Sequence, residues 1–195
     1  MPERSPLLTI PNILTIARLV AVPFFVFVSL RGWFRLAFVL FVGAALTDIF
    51  DGMIARRLNQ RSRLGAILDP AADKTMMVSG YLVYTLHSAV GTRLPGWLTF
   101  TVMIRDVVIV VFAYLLYTRI AVKRFPPSWA GKASTLLQAV TLATVIAVNA
   151  FGPRYFEPLM FVFLRLTLGM TLYSSWDYLR RGQELLAAHT DAADR

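Results

Sequence analysis

Six long apolar stretches recur along the chain, separated by short polar breaks or breaks that contain glycine or proline. Each is about 20 residues long, the length with which an α-helix crosses the hydrocarbon core of a bilayer. None shows the two-residue alternation of a membrane β-barrel strand. The pattern therefore predicts an all-α, polytopic integral membrane protein with six transmembrane helices, near residues 10–30, 33–55, 66–89, 97–118, 133–151 and 157–179.

The composition agrees with a membrane protein. The chain has 195 residues, of which 57% are hydrophobic and 16% are charged, whereas a soluble domain has about 25% charged residues. The length predicts one domain over residues 1–195, with short polar termini at about 1–9 and 181–195. The chain has no cysteine and two histidines, His87 and His189, which excludes disulfides, thiolate metal sites and a histidine metal site.

The distribution of positive charge predicts the orientation in the membrane. The formal net charge is +9, which suits nucleic acid or anionic lipid; the apolar stretches favour the lipid bilayer, and no nucleic-acid partner is expected. One side of the predicted spans carries four basic residues, and the other side carries twelve: Arg4, Arg56, Arg57, Arg61, Arg63, Arg119, Lys123, Arg124, Lys132, Arg180, Arg181 and Arg195. Because basic flanks stay cytoplasmic, both termini are predicted to be cytoplasmic, in a bacterial-type inner (cytoplasmic) membrane.

Four aspartates cluster at the predicted cytoplasmic ends of the second and third spans: Asp48, Asp51, Asp69 and Asp73. A charge within a membrane helix costs about a few kcal/mol, so it indicates a functional site. Spacings of three and four place each pair on one face of its helix. Four neighbouring carboxylates repel one another unless cations compensate them, and oxygen ligands favour Mg²⁺, Mn²⁺ or Ca²⁺. A two-ion site suits phosphoryl transfer; the alternative is acids paired with arginines at a helix end.

The segment around these acids resembles the signature D-x2-D-G-x2-A-R-x8-G-x3-D-x3-D of the CDP-alcohol phosphatidyltransferases. All eight fixed positions match over 26 residues, namely Asp48, Asp51, Gly52, Ala55, Arg56, Gly65, Asp69 and Asp73. The opening stretch from Ile10 to Arg18, which includes Asn12, is similar to the start of members that make phosphatidylglycerol phosphate or cardiolipin. The family's six helices agree with the six predicted spans.

The resemblance implies an enzyme that displaces CMP from CDP-diacylglycerol with the hydroxyl of a glycerol-type acceptor, at an active site facing the cytoplasm. It implies two divalent cations, Mg²⁺ or Mn²⁺, held by Asp48, Asp51, Asp69 and Asp73. Asp73 is also implied to be the catalytic base on the acceptor hydroxyl. The positions that match the CDP site are Gly52, Ala55, Arg56 and Gly65. Relatives of this kind are often homodimers, so a homodimer is expected.

Three acceptors fit the resemblance: phosphatidylglycerol, glycerol 3-phosphate and inositol phosphate. The stretch from Asn59 to Gly65 and the pair Arg105-Asp106 resemble CDP-lipid-dependent cardiolipin synthases. Ser134 stands where phosphatidylglycerol phosphate synthases tend to carry a second lysine. The cues favour phosphatidylglycerol as acceptor, then glycerol 3-phosphate, and then inositol phosphate.

Four further residues are candidate acceptor or phosphate contacts: Arg105, Lys132, Asn12 and Arg18. Each has a structural alternative, which is a buried ion pair for Arg105, a headgroup contact for Lys132, a helix cap for Asn12 and a packing contact for Arg18. Asp177 and Arg180, three positions apart, are predicted to pair. A small membrane transporter is the non-enzyme alternative, but transporters place their site near the midplane of the bilayer.

Overall fold

The structure, a computed structural model, describes residues 10–58, 65–87, 90–120 and 128–193, with side chains at 15–47, 71–87, 90–112, 118 and 128–184. The described residues contain six α-helices and no strand. The helices are α1 (Ile10–Leu30), α2 (Phe34–Leu58), α3 (Gly65–Leu86), α4 (Gly96–Ile120), α5 (Trp129–Phe151) and α6 (Pro153–Ala193). Each predicted span overlaps one helix, and the all-α prediction is confirmed.

Two of the predicted breaks end their helices with a glycine in the left-handed region. Gly32 has a φ of 76° and Gly152 a φ of 96°, a conformation that costs glycine little because it lacks a Cβ. After α1, the amides of Gly32 and Trp33 donate to the carbonyls of Ser29 and Val28 at 3.1 and 2.9 Å. This paired arrangement satisfies carbonyls that the helix end would leave without partners.

The last helix is longer than its apolar stretch. The predicted span ends at residue 179, but α6 continues to Ala193, because the residues after 179 include the helix-favouring alanine, leucine, glutamate and glutamine. Ion pairs one turn apart support the extension, with Arg180 Nε 3.1 Å from Glu184 Oε1 and Arg181 Nε 3.0 Å from Asp177 Oδ1. The predicted pairing of Asp177 with Arg180 is therefore wrong.

The helices group into two compact units. The first unit comprises Met1–Leu94 and Leu142–Glu157, and the second comprises Pro95–Thr141 and Pro158–Arg195. In the first unit α1 packs against both α2 and α3. Its buried apolar side chains include Phe25, Val28, Ala37, Phe41, Ala72, Met76, Tyr81 and Tyr84. The prediction of a single domain over residues 1–195 stays a prediction.

The second unit buries many polar side chains beside apolar ones such as Leu98 and Leu164, and it exposes many apolar side chains. On α4, Arg105 is buried, while Phe100, Ile104, Val107 and Val111 are exposed. Its other buried polar residues include Ser134, Gln138, Thr141, Thr167, Thr171 and Ser174. Buried polar groups together with large exposed apolar side chains are typical of helices whose surroundings are lipid.

Two helices within the described residues are long and apolar enough to cross a membrane. They span Trp129–Phe151 and Pro153–Glu184, and shorter apolar segments occupy Thr15–Leu30 and Phe34–Thr47. The length and apolar composition of these two helices agree with two of the predicted spans. The number of six membrane spans and the cytoplasmic location of both termini stay predictions.

Candidate active site

The signature acids lie on two helices of the first unit. Asp48 and Asp51 lie in the second half of α2, and Asp69 and Asp73 lie in the first turns of α3, which begins at Gly65. The backbone is helical through both pairs, as the spacing predicts. The side chains of Asp48, Asp51, Ala55, Arg56 and Asp69 lie outside the described set, as does the environment of Gly52 and Gly65. Their predicted roles in cation and CDP binding stay predictions.

Asp73 is the signature acid whose side chain the structure describes, and it contacts an arginine from another helix. Arg18 Nη1 of α1 donates to Asp73 Oδ1 of α3 at 2.8 Å. The Arg18 side chain is 3% exposed, whereas that of Asp73 is 46% exposed. A buried guanidinium needs a counterion, and Asp73 supplies it from a side chain that is itself partly exposed.

The donor set fits hard divalent cations. All four signature acids offer carboxylate oxygens, the ligands that Mg²⁺ and Mn²⁺ prefer, and the Asp73 side chain is partly exposed. Among the described side chains no group of three potential ligands occurs, and three of the four acids lie outside that set. The chemistry of the donors therefore supports the cation prediction, which stays a prediction.

A second arginine, Arg105, lies buried in the second unit. Its Nη1 is 3.0 Å from Asp106 Oδ1, and its Nη2 donates to Ser174 Oγ of α6 at 2.7 Å. The guanidinium carbon lies 5.9 Å from the centre of the Tyr178 ring, within the range of a cation–π contact. Arg105 Nε is buried and has no hydrogen-bond partner in the described part of the chain. The buried ion pair that sequence reasoning offered as an alternative role is thus present.

The start of α5 packs against this arginine cluster. Ser128 caps the helix, its Oγ accepting from the Gly131 amide at 2.9 Å, as a serine at an N-terminus commonly does. A Cβ on Gly131 would lie 2.9 Å from Tyr178 Oη and 3.4 Å from Arg105 Nη2. Glycine is therefore what lets α5 approach the cluster this closely.

Ser174 and Tyr178 are contacts that sequence reasoning missed. They lie four positions apart on α6, and this spacing puts two hydrogen-bonding side chains on one helix face. The four-residue spacing is the signal that the sequence offers for these two residues, but it does not identify the residue that they contact on another helix.

The remaining acceptor candidates are distributed over both units. Lys132 lies in the first turn of α5 in the second unit, with Arg105, and it is exposed. Asn12 lies in the first turn of α1 in the first unit, with Arg18, and its side chain lies outside the described set. The structure thus brings Arg18 to Asp73 and brings Arg105 to Asp106, Ser174 and Tyr178.

A family profile described as CDP-alcohol phosphatidyltransferase matches residues 8–176, which include both halves of the signature. The chain belongs to the CDP-alcohol phosphatidyltransferase family. Membership confirms the family resemblance and the prediction of a transferase, and it sets the transporter alternative aside. The match also runs through α4, α5 and most of α6, so Arg105 and Lys132 lie within the family domain.

Three relatives carry informative names. A Mycobacterium tuberculosis protein named putative cardiolipin synthase is 39% identical over 147 residues, covering 73% of this chain and 66% of that protein. An Aquifex aeolicus protein named CDP-diacylglycerol–glycerol-3-phosphate 3-phosphatidyltransferase is 32% identical over 180 residues, covering 92% and 98%. The human protein named cardiolipin synthase (CMP-forming) is 28% identical over 196 residues, covering 91% and 64%. The names agree on phospholipid synthesis and differ on the acceptor.

Proposed function

We propose that this protein transfers the phosphatidyl group of CDP-diacylglycerol to phosphatidylglycerol, releasing CMP and forming cardiolipin. The observation that carries the transferase assignment is the complete eight-position signature on α2 and α3, within a family match over residues 8–176. The mycobacterial and human relatives, both named for cardiolipin synthesis, support this acceptor. The chain spans 66% and 64% of their lengths.

The signature residues divide the chemistry among them. Asp48, Asp51, Asp69 and Asp73 hold two divalent cations, Mg²⁺ or Mn²⁺, which when bound neutralise charge on the phosphate anhydride. The carboxylate of Asp73 takes the proton from the attacking acceptor hydroxyl. The cytidine diphosphate is held by Gly52, Ala55, Arg56 and Gly65.

The proposed location is a bacterial-type inner membrane with the active site facing the cytoplasm. It is supported by the outward apolar and inward polar side chains of the second unit, by two helices long enough to span a bilayer, and by the one-sided distribution of basic residues. A site at this surface keeps acyl chains in lipid while soluble CMP leaves into water.

Cysteine labelling tests this topology on a chain with no native cysteine. We expect a cysteine at Arg61 or Lys123 to react with an impermeant thiol reagent from the cytoplasmic side, and one at Arg93 from the opposite side. The measurement compares labelling of intact spheroplasts with labelling of inverted vesicles. The reverse pattern would overturn the orientation or the number of spans.

We propose that Arg105 and Lys132 bind the acceptor phosphate. The Arg105 guanidinium is buried, and its Nε has no partner within the described residues, so an anion would satisfy this donor. Lys132 is exposed beside Gly131 at the start of α5.

Ser134 stands where phosphatidylglycerol phosphate synthases commonly carry a lysine, and packing also explains the serine. It is fully buried and lies 3.3 Å from both Thr171 Oγ1 and Gln138 Nε2.

Glycerol 3-phosphate is the second candidate acceptor. The Aquifex relative, named for this acceptor, matches over 98% of its own length. Because the burial of Ser134 explains that residue without reference to the acceptor, the missing lysine weighs less against glycerol 3-phosphate. Inositol phosphate remains the third candidate.

A parallel acceptor assay tests both levels of the proposal. Protein purified in detergent receives CDP-diacylglycerol and Mg²⁺ with phosphatidylglycerol, glycerol 3-phosphate or inositol phosphate, and both CMP and the lipid product are measured. We expect cardiolipin from phosphatidylglycerol. Phosphatidylglycerol phosphate as the product would select the second candidate, and absence of CMP release with every acceptor would reject the transferase itself.

A further inference from the structure

The burial pattern of α1 directs one charged residue toward the candidate active site. Thr15, Arg18 and Val22 form the buried face of this helix, whereas Ile16, Leu19 and Val20 are exposed. A cation on the buried face of a helix is costly unless it is paired. Its pairing with Asp73, 55 positions away on α3, ties α1 to the acid proposed as the catalytic base.

We propose that Arg18 is a positioning residue, whose guanidinium holds one oxygen of the Asp73 carboxylate so that the rest of that carboxylate is oriented for transfer. This inference rests on the proposed function, since it requires Asp73 to take part in the reaction. A charge-assisted hydrogen bond of 2.8 Å fixes both distance and direction. Arg18 is itself fixed by burial, so the carboxylate is oriented by a rigid element instead of a mobile one.

The inference changes the role predicted for Arg18 from the sequence. The Arg18 side chain is 3% exposed and the Asp73 side chain is 46% exposed, so the acid is the more accessible member of the pair. An approaching ligand therefore meets Asp73 first. Arg18 acts through the acid, and its positive charge also offsets one of the four carboxylates whether or not cations are bound.

The first test separates positioning from substrate binding. We expect Arg18→Gln to lower kcat by about 10–100-fold, because a misplaced reacting group loses up to about 10²-fold. KM for both substrates and the directly measured affinity for CDP-diacylglycerol should stay within about threefold, a change under ~0.7 kcal/mol. Arg18→Lys should recover part of kcat, since it keeps the charge but not the planar geometry.

The matched control is Arg180→Gln, which removes an arginine from an exposed ion pair with Glu184. An exposed pair of this kind contributes little to stability, so kcat and the thermal midpoint should both remain at wild-type values. If Arg18→Gln does not fold, kcat, KM and the thermal midpoint are measured on Arg18→Lys instead. A lower thermal midpoint with unchanged kcat per folded molecule would show a purely structural role and overturn the inference.

A double-mutant cycle gives the decisive readout. If Arg18 acts through Asp73, adding Arg18→Gln to Asp73→Asn should change the remaining turnover by less than about threefold, because coupled residues are not additive. Radiolabelled CMP release over long incubations supplies the sensitivity. An undiminished effect in the Asp73→Asn background, or a KM increase above about tenfold, would instead establish direct phosphate contact. Either of these two results would overturn the role of Arg18 while the wild type stays active. An inactive wild type would instead reject the proposed function.

Discussion

Each unit contains a buried arginine next to an aspartate, and the two pairs differ in what they leave accessible. Arg18 reaches an acid on a different helix, and the Asp73 side chain stays 46% exposed. Arg105 pairs with the residue that follows it, and the Asp106 side chain is 12% exposed. Arg105 also donates to the hydroxyl of Ser174, and its guanidinium lies over the ring of Tyr178.

The contrast separates an acid available for chemistry from an acid that serves as a counterion. The Asp73 side chain is partly exposed, so a cation or a hydroxyl proton can reach it. Asp106 is enclosed with its arginine, and a buried pair of this kind mainly avoids the cost of an isolated charge. The difference between Asp73 and Asp106 predicts different results when these acids and their neighbours are replaced.

Cation removal should distinguish the signature acids from Asp106 most strongly. We expect Asp48→Asn, Asp69→Asn and EDTA treatment each to reduce CMP release to background, because each removes charge or cations that the leaving phosphate needs. Added Mg²⁺ or Mn²⁺ should restore the EDTA-treated wild type. Asp106→Asn is the control and should retain its response to Mg²⁺; full activity of the wild type in EDTA would contradict the cation proposal.

Replacement of Asp73 should mainly lower turnover, whereas replacement of Asp106 should mainly lower stability. Asp73→Asn should lower transfer by at least the roughly 10²–10⁴-fold typical of losing a positioned base, with CDP-diacylglycerol binding and the thermal midpoint largely kept. Asp106→Asn should instead cost up to about 3–5 kcal/mol of stability, since it leaves Arg105 without its carboxylate. The measurements are turnover per folded molecule and thermal unfolding in detergent. Equal effects of both variants on turnover would remove the distinction.

Arg105→Gln tests whether the second arginine also binds substrate. We expect the acceptor KM to rise about tenfold, the equivalent of ~1.4 kcal/mol or one hydrogen bond to a charged group. The affinity for CDP-diacylglycerol should change less. Titration of each substrate separately provides the comparison, and a variant that is destabilised with both KM values unchanged would leave Arg105 with the ion-pair role alone.

Gly131→Ala should have the smallest effect and should act through packing. The added methyl would meet Tyr178 Oη at 2.9 Å and Arg105 Nη2 at 3.4 Å, so we expect a loss of about 1 kcal/mol from overpacking. Gly169→Ala on α6 is the matched control, because a Cβ there has no described atom within 4 Å and alanine favours a helix. A thermal midpoint at or above wild type for Gly131→Ala would show that the cluster accommodates the methyl group.

The helices were predictable because apolar length and glycine or proline breaks are local signals. The end of α6 was not, because hydropathy marks the end of an apolar stretch and not the end of a helix. The polar last turns of α6 are stabilised by helix propensity and by pairs such as Arg181–Asp177. The error of pairing Asp177 with Arg180 has a similar origin. Spacings of three and four are both allowed on a helix face, and only side-chain geometry decides between them.

The spacing of the signature acids predicts the helical backbone that carries them, and it does not predict their partners. An arginine within an apolar helix indicates a buried cation that needs an anion, but the sequence does not say which one. For Arg18 the sequence offers a phosphate contact or a packing contact, and the structure adds an ion pair with Asp73, 55 positions away. Contacts between helices depend on how those helices pack, which spacing within one helix does not encode.

The length of α6 has a consequence for depth in the bilayer. Its 41 residues extend about 60 Å at ~1.5 Å per residue, twice the roughly 30 Å thickness of a hydrocarbon core. In the proposed membrane location, a helix entering lipid at Pro153 brings Arg180, 27 positions later, about 40 Å along its axis to the opposite headgroup layer. In that location the length of the helix sets the depth of its residues. Arg180 and Arg181 lie at the level of the lipid phosphates, and the turns after them lie in water.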